Sequence, residues 1–130
     1  MEIKVGTKGR ADSVVTEERT AAVVGSGSLP VYATPMMVAL IEEAAWKSVQ
    51  DQLEDGQGSV GIQMDVAHLS ATPLGMKVWA ETEVTAVDGR KLTFAVKAYD
   101  EAGLIGEGVH QRFVIDNEKF LGKCQKKLSK

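Results

Sequence analysis

Residues 34–49 read Thr34-Pro35-Met36-Met37-Val38-Ala39-Leu40-Ile41-Glu42-Glu43-Ala44-Ala45-Trp46-Lys47-Ser48-Val49, and the fold turns on how this stretch is read. Thr34 before Pro35 has the form of an N-cap followed by proline at the first helical position, where a missing N–H costs nothing. No Gly or Pro interrupts the chain from Met36 to about Leu53. Met37, Leu40, Ile41, Ala44 and Ser48 make one stripe at helical spacing, and Val38, Ala45 and Val49 make a second beside it. The early turns are apolar on nearly all sides, so the spacing predicts a long helix largely surrounded by protein. Trp46, Lys47, Gln50, Asp51 and Gln52 make its later part more amphipathic.

Downstream the period changes from 3.6 to 2. After the turn Asp55-Gly56-Gln57-Gly58, residues 59–70 read as a strand, with Val60, Ile62, Met64, Val66 and His68 on the face toward the helix. Thr72-Pro73-Leu74-Gly75 turns the chain into a strand at about 76–87. Asp88-Gly89 is a tight-hairpin signal leading to a strand at 91–99. Asp100-Glu101-Ala102-Gly103 then turns into a last strand at about 104–115. Upstream, residues 11–16 read as a short first strand, and Val24-Gly25-Ser26-Gly27-Ser28-Leu29-Pro30 as a flexible or tightly turned loop. The tail from Glu118 is expected to be a short helix with Phe120, Leu121, Cys124 and Leu128 inward.

A helix apolar on most sides needs a sheet that curls around it. The expectation is an α+β chain of hotdog fold: one long central helix wrapped by a curved antiparallel sheet, with residues 1–130 as a single domain. Such a sheet has edges that need cover. A second copy supplies it, so a homodimer is expected, with higher assembly left open.

Composition narrows the partners. Hydrophobic residues at 44% and charged residues at 25% are ordinary globular values and exclude a disordered chain. The net charge of -3 gives no general attraction to nucleic acid or to a membrane surface. The single cysteine, Cys124, excludes an intrachain disulfide, and without a Cys/His cluster no structural zinc site is expected. Met1 to Gly6 lacks the apolar run of a signal peptide, and no stretch approaches membrane-spanning length, so a cytoplasmic location is expected.

Three polar residues strain a purely structural reading. Thr34 is accounted for by an N-cap role, yet a hydroxyl at a helix N-terminus also lies where backbone N–H groups favour developing negative charge. Glu42 has a built-in control in Glu43. Glu43 is placed to pair with Lys47 at i+4, whereas Glu42 lies between Val38 and Ala45 on an apolar stripe. A carboxylate there needs a specific donor or serves function. His68 ends its strand near Ser70 and Thr72, either as a half-exposed strand-end residue or as a base aimed at the helix–sheet interface. In the last strand, Gly106 and Gly108 bare the backbone for close approach of another chain segment or a ligand. His110 and Arg112 extend that face, and Arg112 suits either a phosphate or carboxylate contact or an internal salt bridge.

The segments around these residues closely resemble the family of small hotdog thioesterases that includes the fluoroacetyl-CoA-specific enzyme. They are Val24 to Leu29, Ala33 to Met37 with Leu40 to Ala44, Gly58 to Gly61, Val66 to Pro73, Asp88 to Arg90 and Gly106 to Arg112, in order and across nearly the whole chain. The resemblance implies hydrolysis of a small acyl-CoA with Thr34, Glu42 and His68 as catalytic residues. It also implies that backbone near Gly61 positions the thioester carbonyl, and that sites lie at a subunit interface using both protomers. No metal or tightly held cofactor is expected, because a thioester is already activated. One departure concerns substrate. The fluoroacetyl-CoA enzyme has a longer, aromatic-rich segment before its threonine, whereas Val23 to Val31 is short and rich in Gly and Ser, leaving Tyr32 as candidate cover. That points to a general short-chain or other small acyl group.

Two alternatives carry their own signatures. An R-specific hydratase would have Asp and His five apart, but Asp65 and His68 are three apart. A non-catalytic acyl-CoA or metabolite-binding dimer would share fold and pocket, with no evident need for Thr34, Glu42 and His68 together.

Overall fold

The computed structural model describes residues 2–129. Its elements are β1 (Lys8–Val14), α1 (Ala21–Val24), α2 (Thr34–Val49), β2 (Gln57–His68), β3 (Lys77–Asp88), β4 (Lys91–Asp100), β5 (Gly103–Asp116) and α3 (Asn117–Gln125). The five strands form one antiparallel sheet in the order β1-β3-β4-β5-β2. α2 lies across it, chiefly over β1 and β3, and buries Met37, Leu40, Ile41, Ala44, Ala45 and Val49. Val78, Ala80, Val84, Leu92, Phe94, Val96 and Val114 meet it from the sheet. This is the hotdog arrangement expected from the change of period.

Strand boundaries follow the turn chemistry. Gly89 has a positive φ of 61°, which the tight link between β3 and β4 requires and glycine permits. At the next hairpin, Asp100 Oδ1 accepts from the backbone N–H groups of Ala102 and Gly103 at 2.8 and 3.1 Å. Its other oxygen accepts from Thr72 Oγ1 at 2.7 Å in a buried pair. Thr72 in turn accepts from Tyr32 N at 2.9 Å, and Val31 bridges Pro73. The loop after β2 is thereby tied to the approach to α2.

Four expectations are corrected. β1 starts and ends earlier than residues 11–16, because its register on β3 runs from Lys8↔Glu83 to Val14↔Lys77. The regular helix stops at Val49, and Gln50–Gln52 tighten into a 3₁₀ turn. β2 does not alternate cleanly: Gly61 pairs Arg112 and Gln63 pairs Gln111, which leaves Ile62 as a bulged residue. One extra residue reverses the face assignment upstream of it, so Ser59 and Gly61, not Val60 and Ile62, share the inner face with Met64, Val66 and His68. Finally, α3 buries nothing: Phe120, Leu121, Cys124 and Leu128 are all exposed, with Leu128 at 83%. Short helices stay amphipathic in sequence whether or not something packs on them. The expected close approach at the paired glycines is present, since a Cβ on Gly108 would collide with the Asp65 carbonyl and Val66 of β2.

Candidate active site

Thr34 opens α2 without capping it. The N-cap is Ala33, in extended conformation (φ -73°, ψ 134°), and no side chain makes a capping bond. Pro35 is accordingly the second helical residue, and the expected N-cap role of Thr34 is not present. Relieved of it, Thr34 Oγ1 lies 2.7 Å from His68 Nδ1. The backbone entering the helix is fixed on both sides: Ala33 N donates to the Arg19 carbonyl at 3.0 Å, and Tyr32 Oη donates to the Met36 carbonyl at 3.2 Å. Tyr32 is buried and lies against Thr34 and His68 in the same cleft. Burial pushes its phenol up to about 12, with Arg19 opposing weakly, so it serves as a neutral donor.

His68 comes from the last residue of β2, opposite Gly106. Burial holds its imidazole below the ordinary histidine range, an effect partly offset by the main chain of Ser70. The neutral ring is the form able to take a proton from the Thr34 hydroxyl. Its Nε2 is buried and has no hydrogen-bond partner among the described residues. Both side chains line a cleft of about 280 Å³, together with Ala21, Ser26, Tyr32, Leu69 and Ser70. Larger clefts, of about 500 and 510 Å³, lie around Arg10, Glu81 and Lys97 and around Asp12, Lys77 and Trp79. They contain no paired hydroxyl and imidazole, so chemistry favours the smaller one. Asp65 is exposed, an odd number of residues from His68 along the strand, and points to the opposite face.

Glu42 is not brought to this pair within one chain. Eight helical residues separate it from Thr34, about 12 Å along the axis. Its partner is Arg112, whose Nη1 donates to Glu42 Oε2 at 3.3 Å. Arg112 Nε donates to Ser59 Oγ and Nη2 to the Ser59 carbonyl, both at 2.8 Å. Arg112 Nη1 also lies 3.2 Å from His110 Nε2. At 5% exposure Arg112 sits inside the helix–sheet interface, so the salt bridge, and not an open contact with a ligand, is what the structure shows. Gly61 belongs to the same cluster, since a Cβ there would collide with the Glu42 carboxylate. Glu43 pairs with Lys47 at 2.9 Å as its spacing predicts. The spacing places His110 and Arg112 on one face but does not mark Ser59 or the Gln63 carbonyl as partners; the bulge that turns Ser59 inward leaves no mark in the hydrophobic period. Among the described residues, no group of three or more His, Cys, Asp and Glu is placed to hold a metal.

The family model for the fluoroacetyl-CoA-specific thioesterase matches residues 15–118. A fluoroacetyl-CoA thioesterase of Streptantibioticus cattleyicolor is 42% identical over 97 residues, covering 75% of this chain and 70% of that protein. A solved structure of the fluoroacetyl-CoA thioesterase superposes with a TM-score of 0.91 at 36% identity, covering 98% of each chain. A Thermus thermophilus hypothetical protein, a thioesterase superfamily member, gives a TM-score of 0.90 at 29% identity over 98% of this chain and 95% of its own.

Proposed function

The chain belongs to the fluoroacetyl-CoA-specific thioesterase family and is an acyl-CoA thioester hydrolase; from that premise we propose that it cleaves a small or short-chain acyl-CoA in the Thr34–His68 cleft. The observation that carries the site is the 2.7 Å contact between a hydroxyl and an imidazole at the start of a 16-residue helix. The Thr34 oxygen, or a water it orients, attacks the thioester carbonyl while His68 takes the proton. The C–S bond then breaks, and the proton passes to the CoA sulfur, leaving thiol and, after water is consumed, free acid. The positive end of α2 favours the developing oxyanion, and main chain near Gly61 would reach it from a second copy, as Glu42 would. No metal or bound cofactor enters this scheme.

Glu42 completes the site by orienting or activating its partner group. Its distance along α2 from Thr34 favours a site shared between two copies, with β2, an edge strand hydrogen-bonded on one side, as the seam of a homodimer. An acyl-CoA substrate implies a cytoplasmic setting. Small residues along the cleft, Ala21, Val31 and Ala71 beside Ser26, suit a short acyl group.

The test is thiol release from a panel of acetyl-, fluoroacetyl-, propionyl- and butyryl-CoA, with exposed Cys124 counted as background against the thiol reagent. Turnover concentrated on short acyl groups is expected. Binding of acyl-CoA with no release from any member would replace hydrolysis by a binding role. A pH profile of kcat/KM checks the base. His68 must be neutral to accept a proton, and its pKa is lowered, so the acidic limb should fall below the ordinary value of 6.5. Activity lost as pH falls through 7 or above would contradict the lowered pKa, and an acidic limb that persists in His68→Ala would exclude His68 as that base.

A further inference from the structure

We propose that His110 is a positioning residue for the reaction, orienting the Glu42 carboxylate through Arg112 and holding the β2 bulge that turns Gly61 toward it. The inference rests on the reading of Glu42 as a functional group.

His110 is 1% exposed, stacked at 6.0 Å on Phe94, and both of its ring nitrogens are engaged. Arg112 can only donate, so His110 Nε2, 3.2 Å from Arg112 Nη1, must accept. The ring proton is then on Nδ1, which donates to the Gln63 carbonyl at 2.8 Å. This single tautomer does two things at once. Through Nδ1 it ties down Gln63, the residue immediately after bulged Ile62. Through Nε2 it takes one N–H of Arg112 Nη1, leaving the other directed at Glu42 Oε2. Glu42 Oε2 is itself 4.0 Å from His110 Nε2, too long for a bond, so the imidazole reaches the carboxylate only by way of the guanidinium. The ring is not a proton carrier here: burial above all, helped by Arg112, keeps it neutral against the opposing pulls of the Gln63 carbonyl and, more weakly, of Glu42. A buried imidazole whose two nitrogens are bonded to Gln63 and Arg112 is suited to orientation, not to proton transfer.

The decisive measurement is kcat and KM for His110→Asn and His110→Phe, each in the wild-type and Glu42→Gln backgrounds. Asn retains a donor near Nδ1 and removes the acceptor for Arg112; Phe keeps the ring volume and removes both. In the wild-type background kcat should fall about tenfold or more with KM changed little, since a displaced group costs rate before it costs binding. In the Glu42→Gln background the same substitutions should cost almost nothing further. Equal losses in both backgrounds, or folded variants with undiminished kcat, would overturn the proposal. If Glu42→Gln alone keeps the wild-type rate while His110→Asn does not, the role assigned to Glu42 fails separately from that of His110, and the route through Glu42 falls with it. A second readout needs no variant at His110. Imidazole nitrogen chemical shifts of the wild-type protein, assigned against His68→Ala, should show the neutral Nδ1–H tautomer from about pH 7 to 8. An Nε2–H tautomer, or protonation in that range, contradicts the geometry.

Discussion

Thr34→Ala and His68→Ala are each expected to reduce thiol release from a short acyl-CoA by roughly 10² to 10⁴-fold, the usual worth of a positioned acid–base group. Thr34 is exposed and caps nothing, so its removal should leave folding intact and the loss should be chemical. In Thr34→Ala the bond to His68 Nδ1 passes to water, and neither an attacking hydroxyl nor a fixed orientation remains. Thr34→Ser keeps the oxygen and should retain a large part of the rate. Mass spectrometry of wild type mixed with substrate separates two routes: attack by Thr34 leaves an acyl ester on the protein, while attack by water leaves none. Full activity in well-folded Thr34→Ala and His68→Ala would move the chemistry out of this cleft.

Arg112→Met carries the largest expected cost in stability. Arg112 satisfies Glu42, His110 and both oxygens of Ser59 from a nearly solvent-free position. Methionine fills the volume but leaves the carboxylate, an imidazole acceptor and a carbonyl without their donor. Glu42 is 39% exposed and water takes up part of its loss, so the cost is set chiefly by the orphaned acceptors of His110 and Ser59, about 1–3 kcal/mol, which lowers Tm by roughly 5 °C or more in a chain of this size. Activity should fall as well, because Glu42 loses its orientation. Arg112→Lys should recover only part of either, since an ammonium cannot reproduce the forked contacts with Ser59 and Glu42. Removing both charges, with Glu42→Leu added to Arg112→Met, should restore much of the stability and none of the activity. An unchanged melting temperature in Arg112→Met would show that the network does not hold this part of the interface.

Much of the architecture is set by neighbours in sequence and was legible there. The uninterrupted run after Pro35 makes a helix, alternation makes four strands, and Asp88-Gly89 and Asp100 to Gly103 supply turn chemistry that acts over a few residues. The contrast between Glu42 and Glu43 is likewise local, because i+4 spacing gives Glu43 its lysine and denies Glu42 one. The order of elements, the inner stripe of α2 and the polar residues that require an explanation are therefore properties of local sequence. What those residues touch is set by long-range packing. The Thr34–His68 bond spans 34 positions and the Glu42–Arg112 bond 70, distances over which no periodicity carries information. A single bulged residue, Ile62, set which side chains of β2 face inward, for a strand of period two inverts its faces at one insertion. The wiring of His110, Arg112, Ser59 and Gly61 around Glu42 follows from that inversion.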